Sequence, residues 1–110
     1  MAKSVYYIYR VSCKVSNKKT QELHDLLSRY SNTLIEFDDD SDFTPKTMFQ
    51  CLKTYMAVLN QNYKGSEISV RMSQFDGAIQ FAFYVPGKGN AIASVVLCPV
   101  LNCIDCEEVL

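Results

Sequence analysis

The hydrophobic pattern alternates between two periods along the chain. Val5, Tyr7, Tyr9, Val11, Cys13 and Val15 fall on one face of an extended segment, with Tyr6, Ile8, Arg10, Ser12 and Lys14 on the other. Period two in β-branched and aromatic residues predicts a half-buried strand over 5–15. Ser16 or Asn17 can then cap a helix carrying Leu23, Leu26, Leu27, Tyr30 and Leu34 as one stripe. A second helix is better marked. Thr44 suits its N-cap, Pro45 its first position and Gly65 its end. Met48, Cys51, Leu52, Tyr55, Met56, Leu59 and Tyr63 form its expected buried side. Lys46, Gln50, Lys53, Ala57, Asn60 and Gln61 form the exposed one.

The sharpest local signal is Asp76-Gly77 between two alternating apolar runs. Both residues tolerate positive φ, which a two-residue hairpin needs. That turn sets Met72 opposite Phe81, Val70 opposite Phe83 and Ile68 opposite Val85, all on one face. Pro86 to Asn90 supplies the next turn, and Ala91 to Val100 a final strand. The expected architecture is a single α+β domain of order β-α-α-β-β-β. Its mainly antiparallel four-stranded sheet carries both helices on one face. The first strand can flank either edge of the meander.

The opposite sheet face would carry Tyr6, Ile8, Tyr84, Ile92 and Val96, beside Arg10 and Arg71. That is more apolar than a fully solvated face. It reads either as scattered surface residues or as an interface, for a homodimer or a partner.

Length and charge narrow the function. One domain accounts for 110 residues, and a net charge of −1 lacks the footprint of a general nucleic-acid binder. The longest apolar run, Ala91 to Leu101, is too short to span a bilayer. The start of the chain does not read as a signal peptide, and five cysteines cannot all pair internally. The expected compartment is the reducing cytoplasm.

The small net charge hides segregation. Five carboxylates crowd residues 36–42 and three more follow Cys103, while six of the eleven basic residues precede position 30. Three readings compete for the first cluster. Asp38, Asp40 and Asp42 have calcium-loop spacing, but Phe43 and Phe49 stand where that loop needs glycine and glutamate. The carboxylates can also favour the positive N-terminus of the second helix. Or they can present negative charge to a basic cleft on a partner.

Cys98, Cys103 and Cys106 have a ligand-like spacing, but no fourth ligand follows. His24 has no nucleophile or orienting partner in a recognisable motif. Pro86-Gly87-Lys88-Gly89-Asn90 has the composition of a phosphate cradle, but it precedes a strand and reads as a turn. No reaction, cofactor or metal is expected. The favoured reading is a small non-enzymatic protein that occludes another protein, of the toxin-immunity or phage-encoded antagonist type. Glu36, Phe37, Asp38, Asp39, Asp40, Asp42 and Phe43 would make the contact with a basic, nuclease-like cleft. The alternative is a metal- or nucleic-acid-binding regulator. It would use the Cys98, Cys103 and Cys106 cluster, or Tyr6 and Tyr84 beside Arg10 and Arg71 as a stacking face.

Overall fold

The computed structural model describes residues 3–38 and 43–100. Its elements run β1 (Lys3–Cys13), α1 (Lys18–Ser28), β2 (Leu34–Asp38), α2 (Pro45–Asn62), β3 (Ser69–Phe75), β4 (Ala78–Tyr84) and β5 (Ala93–Val100). They build one antiparallel five-stranded sheet of order β2-β1-β5-β4-β3, with both helices on the same face. The expected four-stranded β-α-α-β-β-β arrangement is therefore corrected. The missing strand is β2, and β1 is an inner strand between β2 and β5 rather than an edge.

The hairpin forms as the local signal requires. Asp76 and Gly77 have φ of 51° and 80°, both in the left-handed region. Val70 pairs with Phe83 and Met72 with Phe81. The ladder stops at Ser69 opposite Tyr84, so the third expected pair, Ile68 with Val85, is not part of it. Ile68 is held from the helical layer instead. The Asn60 side chain donates to the Ile68 carbonyl and accepts from the Ile68 N–H, both at 2.9 Å. One amide thus satisfies both backbone groups at the entrance to β3. Asn60→Ala removes two part-buried hydrogen bonds at once and should cost about 1–3 kcal/mol in urea unfolding. Asn60→Asp retains the acceptor and should recover part of that loss. Full stability in Asn60→Ala would show that the clamp contributes nothing.

The sequence pattern puts the β2 residues at the end of a helical stripe running into an acidic segment. Helix α1 ends at Ser28, because a run of short turns over 27–33 and Asn32, at φ 59°, redirect the chain. Leu34 then begins a strand and lies exposed, not on the helix stripe. Residues 34–38 alternate after all. Ile35 and Phe37 turn toward the helices, and Leu34 turns away.

β1 carries the second correction. Ile8 pairs with Leu97 and Arg10 with Val96, which leaves Tyr9 as an extra residue opposite β5. This β-bulge reverses the alternation. Tyr6 and Ile8 face the helices before it, and Val11 and Cys13 after it. Ile8 is 2% exposed and Tyr9 64%. A regular alternation over 5–15 places these two the other way round, and the bulge reverses it.

The core lies between the sheet and the helices. α1 contributes Leu23 and Leu27; α2 contributes Met48, Leu52, Met56 and Leu59. Cys51 and Tyr55, expected on the buried side of α2, are exposed. The buried stripe is narrower than the apolar one because a single sheet face lies beneath it. Phe81 and Phe83 of β4 and Val95 and Leu97 of β5 fill the centre. Phe49 stacks on Phe81 with centroids 6.3 Å apart. No helix among the described residues is long and apolar enough to cross a membrane.

Candidate functional site

Strand directions sort the chain into two ends. The end of β2, the Asp76-Gly77 turn, the start of β1 and the end of β5 share one end. The start of α1, the α2–β3 connection and the β4–β5 connection share the other. These two ends and the bare sheet face are the places where function can sit.

At the first end β2 leads into the acidic segment. Glu36 projects from β2 and is exposed. Asp38 closes that strand, opposite Lys3. Asp39, Asp40 and Asp42 lie outside the described residues, as do Cys103 and Cys106. The two phenylalanines behave differently from the expected pair of exposed anchors. Phe37 is 2% exposed and packs edge-on against Tyr6, with centroids 5.3 Å apart. Phe43 stacks on the Phe37 ring at 5.4 Å and remains partly exposed. Phe37 is a core residue because β2 turns it inward, so of the two it is Phe43 that presents apolar surface.

The bare face does not contain the five-residue patch the sequence suggested. Tyr6, Ile8 and Ile92 belong to the helix-covered face, the first two because of the bulge. Tyr84 and Val96 remain on the bare face. There the Arg71 guanidinium lies 5.3 Å from the centre of the Tyr84 ring. Ser12 and Ser94 share a 3.0 Å hydrogen bond nearby. Tyr6 and Arg10 stand on opposite faces, so the expected Tyr/Arg stacking surface reduces to Arg71 and Tyr84. The exposed apolar groups of the face are Tyr7, Leu34 and Phe75, with Tyr9 at the bulge. They are spread from β2 to β3.

The second end contains a cleft of about 500 Å³ that the sequence did not reveal. The capped start of α1 forms one wall. Asn17 accepts the Thr20 N–H at 2.9 Å through its side chain, while the Thr20 hydroxyl accepts the Asn17 N–H at 3.0 Å. Lys14 and Lys19 enter from this wall, Lys64 from the α2–β3 connection and Lys88 from the β4–β5 turn. Ile68, Val85 and Ile92 supply apolar surface. No described Asp or Glu lines the cleft. Lys19 is 6% exposed, and its ammonium donates to the Ser66 carbonyl at 2.7 Å. Burying an ammonium against a carbonyl, without a counter-charge, is costly. The one available signal was the early excess of lysine together with Lys88 in a glycine-rich turn. Neither reveals that residues 14, 19, 64 and 88 converge.

The remaining candidates stay apart. No group of three or more His, Cys, Asp or Glu side chains converges among the described residues. Cys13, Cys51 and Cys98 are free thiols. Burial pushes the Cys13 thiol above its ordinary pKa, so its thiolate forms only at more alkaline pH. Cys51 is exposed on α2. A limiting amount of a thiol reagent at neutral pH should therefore label Cys51 well ahead of Cys13, as read by peptide mass mapping. Equal labelling would mean that the β1–α1 corner opens freely. His24 lies beside Asp25, with 3.6 Å between Nδ1 and the nearer carboxylate oxygen.

Comparison with known protein families, characterised proteins and solved structures finds no match to this chain.

Proposed function

We propose that this domain is a small non-enzymatic binding protein that occludes another protein, of the immunity-protein or phage-antagonist kind. The acidic segment 36–42 meets a basic, nuclease-like cleft on the partner. The observation that carries this reading is the crowding of five carboxylates into residues 36–42 of a chain whose net charge is −1. Glu36 and Asp38 belong to β2, and Asp39, Asp40 and Asp42 follow before α2. A molecule carrying such a cluster is oriented by a basic target before contact, which speeds encounter more than it tightens the final complex. Two regular elements hold the ends of the segment. β2 leads into it, and α2, capped by Thr44, leads out. Phe43 offers an apolar surface beside the charges.

The test is parallel capture from source cells with the wild-type protein and with the double variant Asp39→Lys, Asp40→Lys. The expected result is a basic protein retained by the wild type, released by salt and lost with the variant. In binding kinetics the double variant should slow association more than it speeds dissociation, and added salt should narrow the difference. Exposed charges contribute little to stability, so its unfolding curve should be nearly unchanged. A partner that binds both proteins at the same rate at low and high salt would remove the acidic segment from the interface.

A further inference from the structure

We infer that the lysine-lined cleft is a binding site for a small polyphosphate-bearing ligand, of the size and charge of a nucleoside di- or triphosphate. The inference is independent of the acidic segment. Its volume of about 500 Å³ falls within the range of small-molecule sites. Four lysines line the cleft with no lining carboxylate, so its potential is positive until an anion enters. Lys19 deepens that imbalance. It is buried, its ammonium donates to the neutral Ser66 carbonyl, and no described carboxylate lies within ion-pair distance of it. A phosphate group would supply the missing charge and accept the remaining ammonium protons.

The α1 N-terminus adds a second donor set on the same wall. Its capping box occupies the Thr20 N–H, and the Gln21 N–H reaches the Asn17 carbonyl at 2.9 Å. Lys19, which lines the cleft, has its N–H in the first turn, where N–H groups have no intrahelical acceptor. The positive end of the helix therefore reinforces the lysines. Gly65, with φ at 115°, turns the chain at the rim beside Lys64. Ile68, Val85 and Ile92 are an apolar surface that a bare inorganic anion would leave unused. This favours a phosphate ester with an apolar part over free phosphate.

The experiment is NMR titration of the intact protein with ATP, with inorganic pyrophosphate and with a short single-stranded oligonucleotide. ATP should bind saturably and shift the amides of Lys19, Gly65 and Gly89, and pyrophosphate should bind the same place more weakly. The double variant Lys64→Gln, Lys88→Gln changes two exposed side chains. It should keep the wild-type Tm and lose about tenfold or more in ATP affinity, the loss expected on removing hydrogen bonds to charged groups. Lys19→Met tests the buried ammonium and should abolish pyrophosphate binding. Because it also alters packing, the exposed pair decides the matter if Lys19→Met does not fold. The inference fails if millimolar ATP leaves those amides unmoved, if the double variant binds ATP as the wild type does, or if the oligonucleotide alone binds.

Discussion

Phe83→Ala should destabilise the domain by about 3–5 kcal/mol, the cost of truncating a fully buried aromatic ring. Phe83 is 0% exposed, pairs with Val70 on one side and Ala93 on the other, and sits on an inner strand of the sheet. Its carbonyl also accepts the Ile92 N–H at 2.8 Å, just before β5 begins. Removing the ring opens a cavity that neither neighbour can fill, because Ala93 is small and Val70 is fixed in the ladder. A small domain has about 5–15 kcal/mol in all, so roughly a fifth or more of its stability would go. The urea midpoint and Tm should both fall, the latter by roughly 10 °C or more. Phe75→Ala, on the same hairpin but exposed, should stay within about 0.5 kcal/mol. Equal losses from both would mean that the hairpin is not in this register.

Ile8 and Tyr9 give the second large effect, and they test the bulge directly. Ile8→Ala should cost about 2–5 kcal/mol, because Ile8 is 2% exposed and packs into the core. Tyr9→Ala should be close to neutral, since that ring is 64% exposed. An unbroken period-two strand makes the opposite prediction, with Tyr9 inside and Ile8 outside. Denaturant unfolding of the two single variants separates the registers without a new structure. A stable Ile8→Ala together with a crippled Tyr9→Ala would restore the unbroken strand. It would also return Tyr6 and Ile8 to the bare face.

The elements that were legible in the sequence are those specified by neighbours along the chain. Asp76-Gly77 needs only the φ freedom of two adjacent residues, and the pairing of Val70 with Phe83 follows from it by counting. Thr44 and Pro45 start α2 through groups within one turn of themselves, and Met48, Leu52, Met56 and Leu59 recur at the helical period. That is enough to establish an α+β domain with a C-terminal meander and two helices on its sheet. The tertiary structure decided the rest. β2 is only five residues long. It counts as a strand because β1 is beside it to accept its hydrogen bonds, and a segment of that length has no period strong enough to announce itself. The Tyr9 bulge is a property of the β1–β5 pairing and leaves no mark in an alternation that looks unbroken, yet it decides which face Tyr6 and Ile8 join. The lysine cleft depends on the same kind of information. Lys14, Lys19, Lys64 and Lys88 come together only when the sheet order brings the start of α1 beside two later connections. Local sequence determines turns, caps and periods, because those energies lie within a few residues. Sheet order, bulges and clefts arise from pairing between distant segments, where the deciding free energy belongs to the contact and to neither segment alone.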